Sequence, residues 1–225
     1  MKLRLSQKHD AAMTLFEVGI IIAVVLIMAV FLLQTISQRR SLARPYAAKA
    51  RQIACINNLK QVGLAYRIWE GDNGDISPMG ISVTNGGSLE LVATGNVVST
   101  FLAMSNELGT PRILFCPADT NRLMKMNFGG LANSNISYLV GADMTNDTNP
   151  QMILSGDSDW ELGGKLLKPG LVLLATNDPV AWSANRHVRT GNLGLADGSV
   201  QTTTSGSLHT YLQLTGFATN RFAIP

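Results

Sequence analysis

The sequence predicts an α+β chain: a long N-terminal helix followed by a head of short antiparallel strands and small helices. Three observations carry this. Residues 13–33 form an apolar run whose one ionisable group, Glu17, stands at its N-terminal edge. Residues 49–69 repeat apolar side chains at helical spacing. Beyond residue 70, short β-prone runs alternate with turn residues, and the chain holds 21 glycines, many of them in this part.

The first element is the apolar run. Met13–Leu33 is 21 residues, which as a helix spans roughly 32 Å, about the hydrocarbon thickness of a bilayer. Lys2, Arg4 and Lys8 precede it, as in a signal peptide. The run is too long for one, however, and Gln34, Thr35 and Arg39–Arg40 follow it rather than a small-residue cleavage site. It therefore reads as an uncleaved span. Basic residues flank it on both sides, so the positive-inside rule alone does not orient it.

A stem at 34–69 comes next. Pro45 should kink or interrupt its helix, because it lacks an N–H and clashes one turn back. Cys55, Leu59, Val62, Tyr66 and Trp69 then recur at spacings of three and four, one face of an amphipathic helix. Gly71 and Gly74, with Asp72 and Asn73, end it.

The head, 70–225, reads as mixed α+β. Val97, Phe101, Met104 and Leu108 mark a helix. RILFCP at 112–117, ISYLVG at 136–141, QMILSG at 151–156 and LVLLAT at 171–176 read as strands bounded by turn residues. NLGLADGSVQTTT at 192–204 reads as a hairpin around a two-residue Asp197-Gly198 turn. A short helix follows near Leu208–Leu214.

Charge is unevenly spread. Between Gln34 and Trp69 stand seven basic residues and no acidic ones, whereas from Glu70 onward eight basic face thirteen acidic residues. A basic stem beside a span suits anionic lipid headgroups. The net-acidic head argues against a nucleic-acid partner, which needs clustered Lys and Arg on one face.

Cys55 and Cys116 are the two cysteines. Outside the cytoplasm they suggest one disulfide, closing a loop worth roughly 4 kcal/mol as an upper figure. Two buried free thiols are the alternative. Two cysteines alone make a poor metal site, and no metal ligand set is assigned.

His187 and Asp197 are the polar pair most suggestive of chemistry, as metal ligands or an acid–base couple. Turn formation is the stronger reading for Asp197-Gly198, since Gly takes φ > 0 and Asp tolerates it. Two acidic stretches, GDNGD at 71–75 and DSDWE at 157–161, invite a calcium reading. Neither fits the EF-hand pattern: Gly74 stands at the third position of the first, and Leu162 where the second needs its turn Gly. No cofactor is otherwise implied, and no phosphate loop, nucleophile elbow or zinc-protease motif occurs.

Ala12-Met13-Thr14-Leu15-Phe16-Glu17-Val18, preceded by the basic leader 1–12, resembles the type IV prepilin processing motif. Glu17 is the fifth residue counted from Met13, where that family places a glutamate. The family usually has Gly where Ala12 stands. His187, nine residues, then Asp197-Gly198 resembles the H-X9-DG signature of pilin-like proteins from planctomycete and verrucomicrobial bacteria. CINNLKQVGLAYRIW at 55–69 is similar to their stem helix, and LFCPAD at 114–119 to their second cysteine segment. FGGLANSNISYLVG and TNRFAIP resemble the verrucomicrobial branch.

The resemblance implies a pilin-like fold, its stem helix packed on a small antiparallel-sheet head. It implies cleavage by prepilin peptidase between Ala12 and Met13 and N-methylation of Met13. Glu17 would pair with the amine of a neighbouring copy, offsetting the cost, on the order of 3 kcal/mol, of a carboxylate in the bilayer. The function implied is that of a structural subunit, not an enzyme, in a type II secretion pseudopilus or type IV pilus-like filament. Its partners would be other copies or related subunits and the secretion or pilus assembly machinery. The span would lie in the inner membrane with the head in the periplasm. The alternative is a membrane-anchored periplasmic enzyme or ligand-binding domain.

Overall fold

The computed structural model describes residues 14–146 and 149–225, with residues 38–44 described by backbone alone. The chain divides into two compact units, 1–47 and 48–225.

Helix α1, Leu15–Asp72, gives its first part to one unit and its last part to the other. Its segment Leu15–Ser37 has a mean hydropathy of 3.0 and none of it is buried. By length and composition it is a candidate for a membrane span or a signal sequence. The helix opens on a capping box. Glu17 Oε2 accepts hydrogen bonds from Thr14 N (2.9 Å) and Thr14 Oγ1 (3.1 Å), and Thr14 Oγ1 accepts from Glu17 N (3.4 Å). The interruption expected at Pro45 does not occur, because the helix runs through it. The missing N–H forfeits one hydrogen bond, and the helical residues on both sides supply the others.

In the second unit, the face foreseen on α1 is the one buried: Cys55, Leu59, Val62, Ala65, Tyr66 and Trp69. Helix α2 (Leu89–Val92), α3 (Val97–Ala103) and α4 (Ser105–Leu108) follow. The single helix expected over 97–108 is broken at Met104, yet Val97, Phe101, Met104 and Leu108 are all buried.

The strands are β1 (Tyr138–Gly141), β2 (Ile153–Asp157), β3 (Trp160–Leu162), β4 (Lys165–Leu166), β5 (Gly170–Ala175), β6 (Val180–Trp182), β7 (Thr190–Leu195), β8 (Val200–Thr204) and β9 (Thr219–Ile224). Six of them form an antiparallel sheet in the order β5-β9-β1-β2-β7-β8, and β4-β3-β6 form a smaller antiparallel one. Helix α5, Ser205–Leu214, follows β8.

Both faces of the large sheet are covered. Side chains alternate along a strand, so Val140, Leu154 and Ala223 join a core with Val62, Tyr66, Phe101 and Met104. Their neighbours Leu139, Ile153, Phe222 and Ile224 join a second core with Trp160, Trp182, Leu208 and Leu212. Trp160 meets Trp182 and Phe222 edge-on, at centroid distances of 5.6 and 4.9 Å.

Two further expectations are corrected. Residues 112–117 are not a strand. A 3-10 helix covers Pro111–Leu114, begun by Pro111 and capped by Thr110, whose Oγ1 accepts from Arg112 N at 3.4 Å. A short buried apolar run reads the same whether it enters a ladder or not. The hairpin at 190–204 exists, but its loop is Ala196-Asp197-Gly198 rather than a two-residue turn. Leu195 N–H bonds Ser199 O at 2.9 Å, and Gly198 N–H bonds Leu195 O at 2.9 Å. Gly198 alone takes a left-handed φ, +82°, which is the three-residue hairpin closed by a glycine bulge.

Candidate functional site

Three buried carboxylates, Asp119, Asp157 and Asp159, surround the guanidinium of Arg186. Asp157 ends β2, Asp159 precedes β3, and Asp119 follows the Cys116 segment. Arg186 lies in the loop between β6 and β7. Its Nη2 is 2.6 Å from Asp119 Oδ2, and its Nη1 is 4.0 Å from Asp157 Oδ1 and 3.9 Å from Asp159 Oδ1. Nη1 also donates to Ser137 O (2.6 Å), and Nη2 to Ser158 Oγ (3.1 Å). Arg122 Nε also approaches Asp119 Oδ2, at 3.4 Å.

Each aspartate is held by further donors. Asp157 Oδ2 accepts from Asn192 N (2.9 Å) and Asn192 Nδ2 (2.8 Å). Asp159 Oδ2 accepts from Ser183 Oγ at 3.0 Å, and Asp119 Oδ2 from Ser137 Oγ at 2.9 Å. Asp157 Oδ1 and Asp159 Oδ1 are buried without a hydrogen bond. Burial pushes Asp159 up to about 6, against the pull of Arg186 and with the help of Asp157. Burial also raises Asp157, opposed by His187, Arg186 and the Asn192 bonds.

Asp157 and Asp159 of DSDWE thus turn to an arginine. The cation they surround in this structure is Arg186. In the GDNGD stretch, Asp72 closes α1 and Asn73 Nδ2 donates back to Trp69 O at 2.7 Å.

His187 is buried beside this cluster. Its Nε2 is 3.5 Å from Asp157 Oδ2 and 3.5 Å from Cys116 Sγ. Burial lowers its pKa, with Asp157 opposing. Cys55 and Cys116 are joined as a disulfide, their Cα atoms 5.0 Å apart. The sulfurs and the His187 ring nitrogen lie within 4.8 Å of one another.

The turn that presents Arg186 and His187 is strained. Val188 (φ 53°) and Arg189 (φ 61°) follow with left-handed backbones, and Val188 is 78% exposed. A β-branched residue there is an outlier, held by Arg189 N–H to Ser183 O (3.0 Å) and Thr190 Oγ1–H to His187 O (2.6 Å).

His187 and Asp197 are not brought together as a pair. Asp197 is exposed and its Oδ1 accepts from Ser199 N at 2.8 Å, so it shapes the hairpin loop. Gly198 in that loop lies beneath α1: a Cβ on Gly63 would meet its Cα at 3.7 Å. Ala12 and Met13, the expected processing site, lie outside the described residues. The residues that sequence reasoning missed are Arg186 and Asp119; Asp157 and Asp159 stood out as alternating acids, read for calcium rather than for a guanidinium. Arg186 stands directly before the motif histidine and Asp157 and Asp159 flank Ser158, but no local pattern joins the two stretches.

A cavity of about 220 Å³ opens beside the cluster, lined on its polar side by Asp159, Arg186, Asn121 and Asn185 and on its apolar side by Leu166 and Pro169. The chain matches no protein-family model, no curated protein and no solved structure.

Proposed function

We propose that the chain is a pilin-like structural subunit, inserted in the inner membrane through its apolar N-terminal helix, with the second unit outside the cytoplasm. Prepilin peptidase would cut between Ala12 and Met13, and other copies or related subunits would pack against the helix within a secretion pseudopilus or pilus-like filament. The protein would carry out no reaction of its own.

One observation carries this reading. Segment Leu15–Ser37 is apolar and wholly uncovered, with a single carboxylate, Glu17, in its first turn. An apolar surface of that extent calls for lipid or for another helix. Glu17 already caps its own helix, which accounts for a carboxylate at this position without a neighbour. The filament reading adds the charge of a neighbour's amine as its second partner.

Glu17→Gln separates the two roles. Glutamine serves in a capping box as glutamate does, so the helix start is kept and only the charge is lost. The expected result is normal membrane insertion with loss of filament assembly or of cross-linked neighbours. Assembly at wild-type level in the variant would remove the filament role of Glu17. N-terminal mass spectrometry on the envelope-derived chain tests processing, with a methylated Met13 expected.

A second reading, a membrane-anchored ligand-binding head, draws on the cavity beside Asp159, whose Oδ1 has no hydrogen-bond partner. It predicts a head whose activity survives Glu17→Gln and is lost in Asn185→Ala at the cavity rim.

A further inference from the structure

We propose that Cys55, Cys116, His187 and Asp157 form a tetrahedral zinc-type site that takes the place of the disulfide when the two cysteines are reduced. The inference does not rest on the filament reading.

Geometry points to it first. Zinc bonds of about 2.0–2.3 Å to nitrogen, oxygen and thiolate sulfur build a tetrahedron with edges of roughly 3.3–3.8 Å. Two such edges already exist: His187 Nε2 to Cys116 Sγ at 3.5 Å, and His187 Nε2 to Asp157 Oδ2 at 3.5 Å. Cys55 Sγ completes a trio of sulfur and nitrogen atoms within 4.8 Å of one another. Opening the S–S bond lets the two sulfurs part to a tetrahedral edge around a central ion.

The ring of His187 is buried, and a neutral imidazole nitrogen is what ligates a metal. Its Nε2 faces both a sulfur and a carboxylate oxygen.

Charge also balances. A disulfide is neutral, and a zinc ion with two thiolates is neutral as well. Exchanging one for the other leaves Asp119, Asp157 and Asp159 facing the same two arginines, Arg122 and Arg186. Two free protonated thiols would gain no such partner, and two bare buried thiolates would add uncompensated charge. Asn192 supplies the supporting layer, because its two N–H donors orient the Asp157 carboxylate.

The chemistry is a two-step exchange. A dithiol reductant attacks the disulfide, giving the Cys55 and Cys116 thiols while the reductant closes to its own cyclic disulfide. The divalent ion then binds both sulfurs and releases their two protons to solvent. All four ligands come from the protein, so the product is a closed, structural site. The two thiols that sequence reading took as too few for a metal are joined by a histidine and an aspartate that lie far from them in the chain.

The test uses the full chain in detergent micelles. One sample is kept oxidised. A second is reduced with a dithiol that is then removed under anaerobic conditions, and both are titrated with Co2+ and with Zn2+. The expected result is one ion per reduced chain and none per oxidised chain. The cobalt form should show the intense visible bands of a tetrahedral site together with thiolate charge-transfer absorption, and metal should protect both thiols from alkylation. Asp157→Asn should weaken binding measurably, and His187→Ala should abolish the tetrahedral spectrum. A reduced chain with two alkylatable thiols and no bound cobalt would overturn the proposal. So would an unchanged cobalt spectrum in His187→Ala. The comparison of oxidised with reduced wild type needs no variant, so a folding defect in either substitution leaves the test decisive.

Discussion

Arg186 is the residue on which the buried polar cluster depends. With it stand three carboxylates inside the head, and without it Asp157 and Asp159 lose the cation nearest their unbonded oxygens. Removing one member of a buried ion pair costs about 3–5 kcal/mol, because the remaining charge is stranded. Arg186→Leu should therefore lower unfolding stability by that amount in denaturant titration, well beyond the loss in Asn121→Ala at the cavity rim. Asp159 carries a pH dependence of its own. Its carboxyl is raised from the ordinary 3.8 to about 6 by burial, so between those values the folded chain binds more protons than the unfolded one. Stability from this group falls as pH rises through that window and stays low above it. Asp159→Asn should gain on the wild type from pH 3.8 to about 6 by about 3 kcal/mol at most, then run parallel to it, as followed by thermal melting at stepped pH. A flat difference across the window would mean that Arg186 holds the carboxylate ionised throughout. None of this pairing was legible in sequence. Asp157 and Asp159 were visible as alternating acids, but the choice between a metal ion and a guanidinium is made by a loop that closes from residue 186.

Elements were read with mixed success, and the reason differs from one to the next. The buried face of α1, the strands β1, β2 and β5, the β7–β8 hairpin and α5 all declare themselves through periodicity or turn residues. Strand β9 did not, although it lies between β5 and β1 inside the sheet. Its polar residues, buried Asn220 and exposed Arg221, interrupt the apolar pattern. Asn220 Nδ2 is spent on Leu212 O (3.2 Å), and Arg221 Nε on Asp143 Oδ1 (2.6 Å). The short strands β3 and β6 are fixed by tertiary packing of Trp160 and Trp182, which no local signal encodes. The hairpin loop offers a paired test at this scale. Gly198 sits at φ +82°, where alanine is strained, so Gly198→Ala should destabilise by about 1 kcal/mol. Its neighbour Gly63 lies within α1, and a Cβ there meets Gly198 only at ordinary contact distance, 3.7 Å. Gly63→Ala should therefore be neutral or stabilising by up to about 1 kcal/mol, through helix propensity. Thermal melting of the two variants separates loop strain from helix packing.

At the scale of the whole molecule, the chain has an uncovered apolar helix in one unit and a doubly covered sheet in the other. Sequence showed both parts plainly: hydropathy marked the first, and the stem face with the two cysteines marked the attachment of α1 to the second. What it left open was whether 48–225 has enough internal contact to stand alone. The two apolar cores, the six-stranded sheet and the Cys55–Cys116 link all fall within that unit. A chain beginning at residue 48 should therefore remain in aqueous solution as a folded species with its disulfide intact, while the full chain partitions into detergent. Sedimentation, circular dichroism and thiol titration of the two forms check this. Reducing the disulfide in the shorter chain, with metal chelated, should lower its stability by up to about 4 kcal/mol by loop entropy. Restoring zinc should then recover part of that loss by binding to the native state alone. Recovery in the shorter chain would place the metal response wholly within the second unit, independent of the membrane and of any filament.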